Sequence, residues 1–320
     1  MPAGDNLVIG TVGGDSTVVI RDIQDPAHAR NLCRFDSTAF NPQFISASQI
    51  AYVTGAGQLV RADLSTGSIT QLANPGGGFA PGLYSVSPDG SAQTYLNGDG
   101  WHLVNGGGGD RLLTTLPPVP GRGVNPDEDD TFLRFSPDGK YIALFQTFRT
   151  GGSGDTAPDQ IRKASDGSLV YSTTGMTMAV WASVPSRLFF RDSSGSMKRW
   201  DATSGVSTML SLHWIRPKAS PDGRWIAYTI RPPGGLGKVG LYSVQSNGVS
   251  HTSAAGRSGP WFISNDLVWY AGEKACATCF GGAAAPTGIT YLYDIAGASE
   301  VQSRLTSVLD AWPHTTAPGL

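Results

Sequence analysis

Short runs of apolar residues alternating with polar ones recur along the whole chain, each bounded by Gly, Pro, Asn or Asp. Residues 59–67, 197–205, 240–248 and 291–297 each read as a half-buried strand that ends in a turn. Residues 140–145 and 224–229, Lys-Tyr-Ile-Ala-Leu-Phe and Arg-Trp-Ile-Ala-Tyr-Thr, are near-identical apolar strands. No apolar run approaches the ~20 residues that a bilayer-crossing helix needs. The pattern predicts an all-β chain.

The phrase Ser-Pro-Asp-Gly stands at Ser87–Gly90, Ser136–Gly139 and Ser220–Gly223, each time between two strands. Its chemistry is that of a tight turn. Ser accepts a local hydrogen bond, Pro presets φ, Asp tolerates the third position, and Gly takes the positive φ that closes the hairpin. The same outline without the full phrase occurs at Ser46, Ser183 and Ser264. The six marker serines fall at 46, 87, 136, 183, 220 and 264, so successive gaps are 41, 49, 47, 37 and 44. A period near 40 to 45 residues is that of a four-stranded propeller blade.

Residues 7–12 and 17–22 look like the second and third strands of a blade whose first strand is missing, and the region 309–316 supplies a leftover strand at the other end. Pairing the two closes the ring and leaves no open sheet edge. The expected architecture is one domain over 1–320, a seven-bladed β-propeller of four-stranded antiparallel blades, with six blades as the fallback count. The blades are placed at 1–36 plus 309–320, 37–78, 79–122, 127–175, 176–211, 212–256 and 257–308. The 42 Gly and 21 Pro among 320 residues fit a turn-rich fold. The Gly/Ala-rich stretches 105–110 and 281–288 are expected to be hairpin loops.

Net charge is −2, from 23 basic and 25 acidic residues without a basic cluster, which argues against a nucleic-acid partner. Of the three cysteines, Cys276 and Cys279 form a C-x-x-C that lacks both the helical setting of a redox motif and the second ligand pair of a zinc site. A small disulfide between them is expected, with free thiols and metal or redox work as alternatives. A disulfide implies export to the periplasm or outside the cell, with cytoplasmic residence as the alternative. Residues 1–5 do not read as an export signal, so such a signal is expected to be missing from this sequence.

The repeated Ser-Pro-Asp-Gly followed by x-x-Ile-Ala resembles the PD40, or WD40-like, repeats of TolB-type propellers. Three units carry the full phrase and three are degenerate. The resemblance covers essentially the whole chain, which departs from TolB in lacking its N-terminal α/β domain, and from prolyl-oligopeptidase-type relatives in lacking a hydrolase domain. It implies the fold, and functions ranging from peptide and protein binding in the central funnel to gating of an attached enzyme.

Catalytic motifs are absent: there is no G-x-S-x-G, no H-E-x-x-H and no phosphate loop. Two constellations remain at the expected channel mouth. Trp181, Trp214 and Trp261 with Arg134, Arg216 and Arg257 are types that carry binding hot spots for a protein, peptide or small-molecule ligand, while Lys218 and Trp312 lie on the same set of strands. Large aromatics also serve as packing between blades, so part of this set is expected to be core. His213 and His314 with Asp129 and Asp130 suit a divalent metal such as zinc, manganese or calcium, and hence an alternative role as a metal-dependent hydrolase of esters or phosphoesters, or a lyase. His28, His102 and His251 fall on outer strands or loops and carry no expected role. A monomer without a membrane span is expected.

Overall fold

The computed structural model describes residues 7–11, 18–22, 30–34, 40–46, 48–74, 84–97, 99–106, 109–115, 131–146, 159–182, 187–208, 214–233, 235–276, 284–303, 305 and 310–312. These residues hold seven four-stranded antiparallel sheets. The chain enters through β1 (Leu7–Thr11), β2 (Val18–Asp22) and β3 (Arg30–Arg34). Four-strand meanders follow: β4 (Phe40–Ser46), β5 (Gln49–Val53), β6 (Leu59–Asp63) and β7 (Ile69–Ala73); then β8 (Tyr84–Val86), β9 (Ala92–Leu96), β10 (Gly100–Asn105) and β11 (Arg111–Thr115). Next come β12 (Thr131–Phe135), β13 (Tyr141–Gln146), β14 (Asp159–Lys163) and β15 (Leu169–Thr173), and β16 (Thr177–Ala182), β17 (Arg187–Arg191), β18 (Met197–Asp201) and β19 (Gly205–Thr208). The last two meanders are β20 (Ile215–Ala219), β21 (Trp225–Ile230), β22 (Lys238–Ser243) and β23 (Gly248–Thr252), and β24 (Arg257–Phe262), β25 (Leu267–Lys274), β26 (Ala285–Asp294) and β27 (Ser299–Ser303). Finally β28 (Asp310–Trp312) returns to pair with β1, Leu7 opposite Trp312, and completes the first sheet. Sheets β4–β19 form one compact unit, and β1–β3 with β20–β28 form another.

The three Ser-Pro-Asp-Gly turns are present. In each Ser-Pro-Asp-Gly copy the Ser hydroxyl donates to the Asp carboxylate two residues on, at 2.6 Å for Ser87 and 2.7 Å for Ser136 and Ser220. The same oxygen accepts the backbone N–H that starts the next strand, from Ala92, Tyr141 and Trp225 at 2.8, 2.9 and 3.0 Å. Gly90, Gly139 and Gly223 sit at φ near +70° and donate their N–H to the Ser carbonyl. The Ser side chain therefore does more than accept one bond: it spans the turn in both directions while buried.

The second-strand runs read as continuously apolar because both of their faces are covered. All of β9 is buried, as is the centre of β21. Four of the core clusters among the described residues draw on two neighbouring sheets. Ala143, Phe145 and Ile161 pack with Met176, Trp181, Leu188, Phe190 and Trp200, and Ala227, Val239 and Leu241 pack with Phe262, Val268, Tyr270 and Tyr293. Burial falls away to the fourth strands, which leave Ile69, Leu169, Val206, Val249 and Val301 exposed.

One expected loop is partly strand. β25 and β26 extend beyond their meander, with Glu273 opposite Pro286 and Lys274 opposite Ala285, so residues 285 and 286 of the Gly/Ala-rich stretch pair in a ladder. A register shift between Ala271 and Glu273 re-aims the two strands before they pair again.

Replacing Ser136 by Ala removes a buried hydroxyl that makes two hydrogen bonds, and the expected loss is about 1–3 kcal/mol in urea unfolding with an unchanged m-value.

Candidate functional site

Within each unit the first strands of neighbouring sheets are brought side by side: β8, β12 and β16 in one, β20 and β24 in the other. One register position on β4, β8, β12, β20 and β24 meets the adjoining sheet. It is the residue opposite Ala51, Thr94, Ala143, Ala227 and Trp269 of the second strands, namely Gln43, Ser85, Arg134, Lys218 and Trp261. Gln43 Nε2 donates to the Tyr84 carbonyl at 3.3 Å, and Arg134 Nη1 donates to the same carbonyl at 3.2 Å. Ser85 Oγ accepts from Phe135 N at 3.1 Å. Lys218 Nζ lies 3.9 Å from the centre of the Trp261 ring, a cation–π contact between sheets.

Several of the candidate binding residues thus tie sheets together. Arg134 is half-buried between its own Leu133 carbonyl and Tyr84, and Trp181 donates Nε1 to the Arg134 carbonyl at 3.2 Å while meeting Trp200 edge-on. Trp214 is fully buried, stacked on Tyr228 at 5.0 Å and edge-on to Tyr242 at 5.3 Å. Burial pushes the Tyr228 phenol up to about 12. Arg257 makes a two-pronged ion pair with Glu300, Nε at 3.2 Å and Nη2 at 2.8 Å, and lies 3.5 Å over the Tyr291 ring. Tyr270 donates its phenol to the same carboxylate. The hydrogen bond from Arg257 holds the Glu300 carboxyl below its ordinary range, whereas burial and then the Glu300 bond raise the Tyr270 phenol.

Arg216 is exposed, and its φ is +52°, in the left-handed region that non-glycine residues seldom adopt. The reason is a bulge that sequence reading missed. On β20, Ile215 pairs with Thr229 and Lys218 with Ala227, so the first strand carries one extra residue. The same offset occurs on β4 between Phe40 and Gln43, on β16 between Thr177 and Val180, and on β24 between Ser258 and Trp261. Met178 and Gly259 occupy the apex equivalent to Arg216, at φ 54° and 61°. Proline follows the apex at Pro42, Pro217 and Pro260, where the missing N–H breaks no ladder bond. That repeated X-Pro, three or four residues before a marker serine, was the available signal.

His102, given no role from sequence, lies on β10 and is buried. Its Nδ1 is 2.8 Å from Asp110 and its Nε2 2.9 Å from Asp99. His213, His314, Asp129, Asp130 and Cys279 lie outside the described residues, and so does the side chain of Trp312. Among the described residues no group of three or more His, Cys, Asp or Glu could hold a metal ion, and no helix is long and apolar enough to cross a membrane.

Glu300→Gln is expected to lower stability by about 1 kcal/mol near neutral pH, a figure discounted for partial exposure. Because the folded-state carboxyl is depressed, that stabilisation is present above the ordinary Glu range near 4.3 and fades as pH falls through the lower folded value. Melting temperatures of the two proteins should converge on acidification; a constant gap refutes the assignment.

No protein-family model matches the chain, and no curated protein matches it. Solved structures do. An oligogalacturonate lyase in complex with manganese is 14% identical, with a TM-score of 0.58 over 94% of this chain and 85% of that one. The Cps50 (Swd1) β-propeller domain of Myceliophteria thermophila is 12% identical, with a TM-score of 0.54 over 85% of this chain and 94% of that one. TolB from Acinetobacter baumannii is 19% identical at a TM-score of 0.48, and the match covers 93% of this chain but 62% of that one. At these identities the likeness is one of fold, and the fold is the β-propeller.

Proposed function

We propose that the chain is a binding module, a propeller that takes a protein, peptide or small ligand on the exposed ends of its first strands, with Arg216 as the leading contact. The observation that carries this reading is the Arg216 backbone. A long, charged side chain held in the left-handed region costs of order 1–3 kcal/mol, and such strain concentrates at ligand sites. Gly259 occupies the equivalent apex on β24 without that cost, so the bulge itself does not call for arginine. Trp261 and Lys218, already paired across the two sheets, would give the ligand a pre-organised wall.

The alternative, a metal-dependent hydrolase or lyase, rests on His213, His314, Asp129 and Asp130, and the manganese-bound lyase supports it only through the shared fold. Elemental analysis of the purified protein separates the two readings. We also assign the protein to an oxidising compartment, periplasmic or extracellular, with Cys279 as the partner of Cys276. That assignment is supported by Cys276 being disulfide-bonded.

The test is Arg216→Gly. Because glycine accepts the apex conformation, stability in urea should be unchanged or higher by up to about 1 kcal/mol. Binding of short peptides and of oligogalacturonate, measured by calorimetry, should weaken about tenfold or more for whichever probe the wild type takes, the scale of one charged contact. A variant that loses stability and binds as before marks Arg216 as structural and sinks the proposal.

A further inference from the structure

The connection from β9 to β10 and the connection from β10 to β11 both deliver a carboxylate to one buried imidazole. Asp99 comes from the first and Asp110 from the second, and they meet opposite nitrogens of His102. His102 itself stacks on Tyr95, its cross-strand partner on β9, with ring centres 4.9 Å apart and planes 3° from parallel. The Tyr95 phenol, raised first by burial, remains protonated and donates to Asp110. From β11 the residue opposite His102 is the apolar Leu112, and the neighbouring Arg111 sends Nη1 to the Asp166 carbonyl at 2.5 Å. Among the described residues of its own sheet, Asp99, Asp110 and Tyr95 are the titratable groups in contact with the ring.

Two carboxylates on two ring nitrogens set a condition on the proton count. An imidazolium has two N–H donors and satisfies both; a neutral imidazole has one and must turn a lone pair toward the other carboxylate. The two sides are not equivalent. Asp110 is held a second time by Tyr95, while the Asp99 side chain is 64% exposed and can be taken up by water. Asp99 belongs to a tight turn in which the Asn97 side-chain oxygen accepts the Asp99 and Gly100 amides at 3.2 and 3.1 Å, so its release loosens those two bonds.

We propose that His102 is a protonation-controlled latch, closed in acid, that pins the turn carrying Asp99 to the body of its sheet and lets it go when the ring becomes neutral. The neutral ring keeps its proton on Nδ1, toward Asp110.

Amide hydrogen exchange of the full chain, corrected for the intrinsic pH dependence, tests this. In the wild type the Asp99 and Gly100 amides should open about tenfold more readily at about pH 8.5 than at about pH 5.5, the worth of one charge-assisted hydrogen bond. Amides of β5 and β6 should show no such step. Asp99→Ala, which leaves Nε2 without a partner on the turn, should be open at both values. Asp110→Asn provides the sharper check: its amide can donate to Nδ1 while its oxygen still accepts the Tyr95 phenol. The neutral ring then carries its proton on Nε2, and the turn should stay closed at both values. A wild type without the step, or an Asp110→Asn protein that opens at both values, overturns the proposal.

Discussion

The six sheets from β4 to β27 bury apolar side chains on both faces, and that one constraint organises the rest. A four-stranded meander with a fully buried second strand, such as β9, cannot stand in water. It must be covered on each side, and the cover available is another meander of the same kind. The core is accordingly built from shared clusters between sheets, with large rings such as Trp101, Trp200 and Tyr270 filling the gaps. Short strands, tight turns and exposed fourth strands follow from the need to present two flat apolar faces and little else.

Strand content and repeat were legible in the sequence because they are local. The hydrogen bonds that close a Ser-Pro-Asp-Gly turn lie within six residues, so its formation is specified locally. The return of the last strand to the first was also readable, since a count of strands left one unpaired at each end. The ties between sheets were not. Arg134 meets Tyr84 and Lys218 meets Trp261 across separations of 50 and 43 residues, and nothing in either neighbourhood announces the partner. Likewise His102 reads as one polar residue on a strand until the two turns that flank β10 bring Asp99 and Asp110 to it.

The candidate residues separate by burial and by backbone conformation. Arg257 is closed in by Glu300 and Tyr291, and Trp214 by two tyrosines. Hot-spot residue types serve interfaces inside a protein as readily as interfaces between proteins, because the same planar, polarisable groups suit both. Arg216 differs through its backbone, and backbone conformation is the property that residue type predicts least.

The bulge on the first strands has a consequence for how such a chain diversifies. Whatever sits at the apex, the ladder is back in phase within two residues, at Gln43, Val180, Lys218 and Trp261. The apex is therefore insulated from the register that folding depends on. The four repeats have placed an amide, a thioether, a guanidinium and no side chain at all at positions 41, 178, 216 and 259. One frame recurs in four sheets, and at this point of the frame each carries its own chemistry.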